Sequence, residues 1–223
     1  MAYDTILHIT AADLDKDGYY IGSTDVSAEF DGSIEIAADL GRVVFKTSIR
    51  AKYSIRAMSH SGIEAGLDIK AGWGIEAGWG IKAGFDIKAG LDIKAGRGIE
   101  AGLDIKAGRG IEAGGRGIKA GRGIEAGLGI EAGWGIKAGF DIKAGLGIEA
   151  GRGIEAGLSI VGVWISARLR VFAGLCAWRL PDESEMEIRA ELRGGIIAFG
   201  THVPPTAASV AEPAGDAPPQ ATE

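Results

Sequence analysis

Cysteine and long apolar runs are both scarce in this sequence. The single cysteine, Cys176, cannot form an internal disulfide, which is typical of a protein from a reducing compartment. No window approaches the roughly 18 apolar residues needed to span a bilayer, and the opening stretch MAYDTILHITAADLD lacks the basic start and apolar run of a secretion signal. The sequence therefore predicts a soluble, cytoplasmic protein without membrane contact.

An excess of charge of one sign is also absent from the central part of the chain. Between Ile63 and Ile160, 13 Lys and Arg residues are matched by 13 Asp and Glu residues, so the formal net charge of −6 comes from the flanking segments. A protein that binds nucleic acid directly is expected to carry a basic stripe. The sequence therefore disfavours nucleic acid as a direct ligand.

Glycine, in contrast, is abundant, with 38 residues among 223, and it is periodic. Isoleucine recurs every six residues from Ile63 to Ile111 and, after one inserted residue, again from Ile118 to Ile160. The repeated word is Ile-(Glu/Lys)-Ala-Gly-x-(Gly/Asp). So short a tandem repeat indicates a stacked architecture, because a single unit buries its apolar face only against its neighbours.

The period of six decides between helix and strand. Six is a multiple of two, so a strand keeps Ile on one face in every word, whereas a helix would rotate it by roughly 240° per word. Two glycines per word would also cost a helix roughly 1 kcal/mol each relative to alanine. We therefore predict an all-β, single-stranded β-solenoid. Ile and Ala point inward, Glu or Lys points outward, and the glycine pair gives the backbone freedom to turn a corner.

The variable position x indicates how many words form one coil. Sorted by every third word, x falls into columns of consistent character, whereas sorting by every second word mixes all types. One column reads Trp79, Arg97, Arg116, Trp134, Arg152, and another reads Leu67, Phe85, Leu103, Arg122, Phe140, Leu158. Three words per coil predict an 18-residue turn with a triangular cross-section. Recent duplication of an 18-residue unit would give the same correlation without a geometric cause.

The last position of the word follows the same columns. Four of the five Asp residues there share one column, namely Asp68, Asp86, Asp104 and Asp141, and only Asp92 falls outside it. Each of the five is followed two residues later by Lys, whose side chain leaves the same face of a strand. We therefore expect a row of Asp–Lys neighbours along one side of the solenoid.

Six-residue words with an aliphatic and a small residue two positions apart resemble those of the hexapeptide-repeat β-helix proteins. That resemblance implies a left-handed coil and, as in many members of that family, an acyltransferase that uses a histidine lodged between coils. Here the small residue follows the aliphatic one instead of preceding it, and His8, His60 and His202 all lie outside the regular array. An acyltransferase is therefore the least favoured function, and we predict neither catalysis nor a cofactor.

Composition changes along the chain predict five segments. Residues 1–25 form an N-terminal cap with a hairpin, and residues 26–62 form irregular coils in which the repeat is degenerate. The regular solenoid spans 63–160 and is followed by irregular coils and a C-terminal cap over 161–202. The caps are expected because an open solenoid exposes strand edges that promote aggregation. Residues 203–223, rich in Pro, Ala and acidic residues, are predicted to be a disordered tail.

One short motif has the spacing of a calcium loop. Asp13, Asp15 and Asp17, followed by Gly18, match the alternate carboxylates and sharp turn of such a loop. The twelfth position, where a bidentate Glu is expected, is Thr24, and the flanking segments look like strands rather than helices. A polar turn that closes a hairpin is therefore the favoured interpretation, with calcium binding as the alternative.

The corner position x is the candidate interaction surface. Because Arg occupies the same position as Trp, Phe and Leu, the position is expected to face solvent, since burial of an unpaired Arg is costly. A purely local role is also expected for two of the arginines, with Arg97 and Arg152 stacking on tryptophans of the same column. The candidate protein-binding residues are Leu67, Phe85, Leu103, Phe140, Leu158, Trp73, Trp79, Trp134, Arg97, Arg116 and Arg152.

These features favour a non-catalytic protein-interaction or self-assembling structural module, whose ligand is a protein partner or a second copy of the chain. No small-molecule substrate is evident. The alternative is an inhibitor that mimics nucleic acid and blocks a nucleic-acid enzyme, as compact solenoids borne by phages and mobile elements do. Glu76, Glu112, Glu131 and Glu149 share a column that Lys94 interrupts, so this alternative rests on architectural analogy.

Overall fold

The computed structural model describes residues 5–204 and is an all-β solenoid of about nine turns, as the repeat predicts. The strands, in chain order, are β1 (Ile6–Ile9), β2 (Ser33–Ile36), β3 (Gly41–Phe45), β4 (Ile49–Ala51), β5 (Ile55–Ala57), β6 (Ser61–Ala65), β7 (Ile69–Ala71), β8 (Ile75–Ala77), β9 (Ile81–Ala83), β10 (Ile87–Ala89), β11 (Ile93–Ala95), β12 (Ile99–Ala101), β13 (Ile105–Ala107), β14 (Ile111–Ala113), β15 (Ile118–Ala120), β16 (Ile124–Ala126), β17 (Ile130–Ala132), β18 (Ile136–Ala138), β19 (Ile142–Ala144), β20 (Gly147–Ala150), β21 (Ile154–Ala156), β22 (Ile160–Phe172), β23 (Glu187–Phe199) and β24 (Thr201–Val203).

Helix is confined, within residues 5–204, to two 3₁₀ turns, Ala11–Asp13 and Glu183–Met186. Neither turn, and no other helical segment in that range, is long and apolar enough to cross a membrane.

Each strand pairs in parallel with the strand one coil later, and equivalent positions of the word are in register. Ile69 pairs with Ile87, and Ile87 pairs with Ile105, which confirms the 18-residue coil. Sheet A contains β4, β7, β10, β13, β16 and β19; sheet B contains β1, β2, β5, β8, β11, β14, β17 and β20; sheet C contains β3, β6, β9, β12, β15, β18 and β21. The long strand β22 contacts all three sheets, and β23 stacks on it. The handedness of the coil stays a prediction.

The core consists of stacked isoleucines and alanines. Ile69, Ile75 and Ile81, one from each sheet of a single coil, are at most 1% exposed. Ala77 and Ala83, two residues after Ile75 and Ile81, are also buried. The charged residue between each isoleucine and its alanine points outward. Burial of each isoleucine contributes about 1.5–3 kcal/mol. The stacked apolar columns are therefore the main source of stability.

The glycine that precedes each corner residue is required by close packing. A Cβ atom on Gly90 would lie 1.9 Å from the carbonyl oxygen of Gly72, one coil earlier. Within residues 63–160 no glycine has a positive φ. The prediction that glycine supplies conformational freedom at the corner is therefore wrong. Glycine is needed there because successive coils approach too closely for any side chain.

The ends of the solenoid contain strands that continue the stack. β1 pairs with β2 and is already a rung of sheet B, within the segment assigned to the N-terminal cap. At the other end β23 and β24 extend the stack, so Val203 belongs to a strand rather than to the predicted tail. Most of that predicted tail, residues 205–223, lies outside the described residues.

Candidate binding groove

Three edges separate the three sheets, and each edge is a column of corner residues. The AB edge carries Trp73, Leu91, Arg109, Leu128 and Leu146; the BC edge carries Trp79, Arg97, Arg116, Trp134 and Arg152; the CA edge carries Leu67, Phe85, Leu103, Arg122, Phe140 and Leu158. Each corner N–H donates to the corner carbonyl one coil earlier, as from Arg97 to Trp79 at 3.0 Å. The predicted columns are therefore confirmed as geometric columns.

The inserted residue of the repeat lies in the BC edge. The N–H groups of Gly115 and Arg116 both donate to the carbonyl oxygen of Arg97, at 3.2 and 2.9 Å. This β-bulge places Gly115 and Arg116 opposite the single residue Arg97. It absorbs the insertion without shifting the isoleucine columns, because Ile99 still pairs with Ile118.

The CA edge carries a ladder of aspartates. The backbone N–H of Asp104 donates to Oδ1 of Asp86 at 3.1 Å, and the N–H of Asp86 donates to Oδ1 of Asp68 at 3.3 Å. Lys88 donates to the second oxygen of Asp86 at 2.7 Å. Sequence reasoning found the Asp–Lys neighbours but missed the bond to the next coil. Each of these aspartates accepts the backbone N–H at the last position of the word one coil later, next to the corner residue whose own N–H bonds to a backbone carbonyl.

The ladder also sets the ionisation of its carboxylates. Partial burial raises the pKa of Asp68, but hydrogen bonds from Lys70, Arg50 and the backbone N–H of Asp86 outweigh burial, so the pKa is lowered overall. Burial also raises the pKa of Asp86, but hydrogen bonds from Lys88 and the backbone N–H of Asp104 outweigh burial. The pKa of Asp86 is therefore lowered overall. These carboxylates are therefore charged and fully engaged within the protein.

The predicted apolar ridge on the CA edge is discontinuous. Leu67 and Phe85 are 38% and 48% exposed, whereas Leu103, Phe140 and Leu158 are half-buried. Phe140 is covered on two sides, by the Arg122 guanidinium at 5.7 Å and by the Trp178 ring at 5.7 Å. The ridge therefore offers two exposed side chains rather than the continuous strip that its sequence column predicts.

The BC edge has the opposite character, because its cations lack carboxylate partners. Arg97 stacks on Trp79 at 4.6 Å and Arg152 stacks on Trp134 at 4.8 Å, the local contacts that the sequence predicts. Arg116 lies between them. None of these three arginines takes part in the ion pairs formed within residues 5–204. Arg97 and Arg116 nevertheless occupy adjacent coils, about 4.8 Å apart along the backbone stack.

Glycine at the last position of the word forms a floor beside this edge. A Cβ atom on Gly98 would lie 3.1 Å from the carbonyl oxygen of Gly117, and one on Gly117 would lie 2.4 Å from that of Gly135. Beside the AB edge the corresponding distance is 3.6 Å at Gly129, which is ordinary contact. An Asp side chain therefore fits this position beside the AB and CA edges, whereas beside the BC edge it would crowd the carbonyl oxygen of the next coil. This difference explains why Asp is absent from the BC column.

The glycine floor opens a groove of 1090 Å³ along the BC edge and sheet C. It crosses the eight rungs from β3 to β22, a length of about 34 Å at about 4.8 Å per rung. Trp79, Arg97 and Arg116 of the BC edge form one wall, and the outward residues of sheet C form the other. Leu169, Arg170 and Phe172 lie at the C-terminal end, and Trp134 and Arg152 lie outside the lining. Of the predicted surface residues, the groove brings together Trp79, Arg97 and Arg116.

The acidic side chains of the groove all lie on the sheet C wall, where lysines pair with them. On the sheet C wall, Lys82 pairs with Glu64 at 3.7 Å, Lys119 pairs with Glu100 at 3.4 Å, and Lys137 pairs with Glu155. Among all the side chains that line the groove, seven are cationic and three are acidic. The groove therefore carries four excess positive charges in a protein of formal net charge −6.

The calcium motif has a different role in the structure. Asp15 Oδ1 accepts the N–H groups of Asp17 and Tyr19 at 3.0 and 2.9 Å, and Asp13 Oδ2 accepts that of Thr10 at 2.8 Å. Leu14 and Tyr20 form an antiparallel bridge across this turn. No group of three His, Cys, Asp or Glu residues within the described range is arranged to hold a metal ion. The carboxylates of Asp13 and Asp15 thus stabilise a polar turn.

The three histidines lie apart from the groove walls. His8 is exposed on β1, His60 pairs through Nδ1 with Asp39 at 2.8 Å, and His202 Nε2 contacts the carbonyl oxygen of Ala190 at 2.9 Å. Both members of the His60–Asp39 pair are largely exposed. None of the three is lodged between coils of the regular array in the way that the hexapeptide resemblance implies for an acyltransferase.

The chain matches no protein-family profile, no curated protein and no solved structure. Its resemblance to hexapeptide-repeat proteins therefore concerns repeat architecture, and a function has to be argued from the geometry of the site.

Proposed function

We propose that this β-solenoid is a non-catalytic binding module that captures an extended, acidic polypeptide segment of a protein partner along the BC groove. The observation that carries this proposal is that Arg97 and Arg116 line the groove without a carboxylate partner in the described chain. Arg152 lies further along the same edge, outside the groove lining.

Unpaired arginines in neighbouring rungs favour an anionic ligand. Like charges placed directly opposite each other on adjacent strands destabilise a sheet, and an anion between them removes that cost. Stacking on Trp79 and Trp134 holds the guanidinium groups of Arg97 and Arg152 in place, and neither group donates a hydrogen bond within residues 5–204. A guanidinium held in this way binds a carboxylate with little further loss of conformational entropy.

The charge density of the groove favours a polypeptide over a nucleic acid. Four excess positive charges along about 34 Å correspond to one charge per roughly 8 Å. A nucleic-acid strand carries phosphates far more densely, about one per 3.4 Å in a duplex. The sheet C wall also presents Glu64, Glu100 and Glu155, which would repel phosphates. A peptide with widely spaced carboxylates matches both properties.

Fluorescence anisotropy with a labelled peptide of Glu, Ala and Pro tests the proposal. We expect the double variant Arg97→Gln/Arg116→Gln, which changes the two corner arginines that line the groove, to bind this peptide about tenfold more weakly or worse, because charge-assisted bonds are lost. The matched control is Arg109→Gln/Arg122→Gln, which changes the same position of the word on the other two edges.

The control should bind like the unchanged protein, and binding should weaken with added salt. Equal loss in both variants, or no binding of the peptide by the unchanged protein, would overturn the proposal. Tighter binding of a labelled single-stranded oligonucleotide would overturn the choice of a polypeptide ligand.

A second candidate function, self-association, is favoured by the C-terminal end of the solenoid. Seven of the 15 exposed large apolar residues lie between Leu169 and Val203, including Ile196 at 67% and Phe199 at 47% exposure. Ile196 and Phe199 belong to β23, which among the described residues pairs beyond β22 with the short β24 alone, at Glu187–Arg189. Sedimentation velocity tests this candidate: Ile196→Lys/Phe199→Lys should dissociate an oligomer, and a monomeric unchanged protein would contradict it.

The nucleic-acid mimic has less support in the charge pattern. On sheet B, Arg56 pairs with Glu76 at 3.3 Å and Lys94 pairs with Glu112 at 3.5 Å. Glu131 and Glu149, which lie on adjacent rungs of the same column, form no ion pair in the part of the chain that the structure describes. A duplex mimic would need a longer acidic surface, so this function remains a prediction from architecture alone.

A further inference from the structure

The glycine floor of the BC groove is bounded by an arginine at each end. Successive coils contribute one residue each to the floor, which reads Arg42, Gly62, Gly80, Gly98, Gly117, Gly135, Gly153 and Arg170. A long side chain thus replaces glycine at both ends, since Arg42 pairs in register with Gly62 and a Cβ atom on Gly153 would lie 3.0 Å from the Arg170 carbonyl oxygen. An extended ligand that continued past either end would have to pass over a guanidinium group.

The two closing arginines differ in how their charge is compensated. Arg42 pairs with Glu64 at 3.1 Å, whereas the side chain of Arg170 forms no ion pair or hydrogen bond with residues 5–204. Arg170 is also exposed. The Arg170 end of the groove therefore keeps an uncompensated positive charge, and the Arg42 end does not.

The residues around Arg170 are apolar at positions where other coils carry charge. Leu169 continues the corner column of the BC edge through an N–H bond of 2.8 Å, and it is 57% exposed. Phe172 is in register with Glu155 of the sheet C wall and is half-buried. One coil later, Ile196 pairs with Arg170 and is 67% exposed. A cation in apolar surroundings suits a ligand residue that carries both a carboxylate and an apolar side chain.

The last residue of a polypeptide has this combination, because its terminal carboxylate and its side chain leave the same Cα atom. We infer that the BC groove takes the C-terminal end of the protein partner, with the terminal carboxylate at Arg170 and an apolar last side chain between Leu169 and Phe172. A carboxylate binds a guanidinium group through two parallel charge-assisted hydrogen bonds. The opposite chain direction is disfavoured, because Arg170 would repel an N-terminal ammonium group. This inference rests on the proposed function of the groove.

The rungs between the arginines set the positions of acidic side chains in the ligand. Arg116 and Arg97 lie three and four rungs before Arg170, about 14 and 19 Å at about 4.8 Å per rung. An extended chain covers about 3.3 Å per residue, so these distances correspond to about four and six residues. Residues two positions apart point to the same side of an extended chain. We therefore expect carboxylates four and six residues before the last residue of the ligand.

Fluorescence anisotropy on the full chain tests this inference with the peptide Ala-Glu-Ala-Glu-Ala-Pro-Ala-Leu, labelled at its N-terminus. The peptide is compared as a free acid and as a C-terminal carboxamide, and we expect the carboxamide to bind about tenfold more weakly. Arg170→Gln should weaken binding of the free acid to that level and leave the affinity for the carboxamide unchanged, because both changes remove the same contact. The matched control is Arg168→Gln, another exposed arginine of β22 outside the groove lining, which should change neither affinity.

Equal affinities of the unchanged protein for the free acid and the carboxamide would overturn capture of a chain end. An equal loss with both peptides in Arg170→Gln would also overturn it, because Arg170 would then act only through the net charge of the groove. A free acid that ends in Ser instead of Leu should bind several-fold more weakly. Equal binding of the Ser and Leu peptides would overturn the apolar contact with Leu169 and Phe172.

The double variant Arg97→Gln/Arg116→Gln distinguishes this inference from the proposed function of the groove. It should weaken binding of the free acid and the carboxamide by the same factor, because its changes lie three or more rungs from Arg170. If the two peptides bind the unchanged protein equally and both are lost in this variant, chain-end capture is refuted while the function of the groove stands. Absence of binding of either peptide to the unchanged protein would refute both.

Discussion

The CA and BC edges are built from the same six-residue word, yet they use it in opposite ways. On the CA edge Asp68 and Asp86 accept bonds from the next coil and from lysines, so the charges are satisfied within the chain. On the BC edge the equivalent position is Gly, and Arg97 and Arg116 have no carboxylate partner in the described structure. The charged groups of the CA edge thus bond within the chain, whereas the arginines of the BC edge form no ion pair within residues 5–204.

The difference arises from how closely successive coils approach at each corner. At the BC edge the outer position of the word is crowded by the carbonyl of the next coil, so glycine persists and a groove follows. At the CA edge there is room for Asp, whose carboxylate fills the space and closes it. One repeat therefore makes an edge closed by aspartates and an edge with an open groove, depending on local backbone spacing, and we propose that the open groove is the recognition surface.

The largest expected effect comes from adding one methyl group to each edge. Gly117→Ala on the BC edge would place Cβ 2.4 Å from the Gly135 carbonyl oxygen, and we expect a loss of about 1–3 kcal/mol in unfolding free energy. Gly123→Ala, six residues later on the CA edge, meets only the side-chain oxygen of Asp104 at 3.3 Å and the Asp141 carbonyl at 3.7 Å. Urea unfolding should show little loss of unfolding free energy for Gly123→Ala. Equal losses in the two variants would contradict the difference in coil spacing between the edges.

Removing a ladder aspartate should have the next largest effect. Asp86→Ala leaves the N–H of Asp104 without its acceptor, at a cost of about 1–2 kcal/mol. Asp86→Asn keeps Oδ1 as an acceptor and should lose less. Chemical unfolding of both variants checks this order, and an Asn variant as unstable as the Ala variant would mean that the bond to the next coil contributes nothing.

The ladder also predicts a dependence of stability on pH. The folded-state pKa values of Asp68 and Asp86 lie below their ordinary value, so these groups contribute stability above the unfolded pKa of about 3.9 and lose it as pH falls through the folded pKa. Unfolding free energy should therefore decline below about pH 4 in the unchanged protein. Asp68→Asn/Asp86→Asn should make that decline shallower, and an unaltered slope would contradict the assignment.

The smallest expected effect is on the BC edge. Arg116→Gln removes a cation that neighbours Arg97 and has no ion-pair partner in residues 5–204, so unfolding free energy should change by no more than about 0.5 kcal/mol. Thermal unfolding without ligand measures this. A loss as large as that of Asp86→Ala would show that the arginine column is part of the folding edge, and the contrast between edges would fail.

The sequence was sufficient for the coil but not for the groove. The six-residue spacing of Ile predicted the strands, and the columns of Trp, Arg and Leu predicted the 18-residue turn, because both depend on periodicity alone. The groove depends on sub-ångström differences in how closely Gly98 and Gly129 approach the next coil, which periodicity does not encode. One signal was present: no Asp occurs at Gly80, Gly98 or Gly117 or at the later equivalents.

Nuclear magnetic resonance of the tryptophan indole groups during titration with an acidic Glu/Ala/Pro peptide tests the central claim most directly. The BC edge carries Trp79 and Trp134, the AB side carries Trp73 and Trp164, and Trp178 packs against Phe140 on the CA edge. If the BC groove is the recognition surface, the signal of Trp79, which lines the groove, shifts with the peptide, and the signals of Trp73, Trp164 and Trp178 do not. Shifts confined to Trp73, Trp164 or Trp178 would contradict the account.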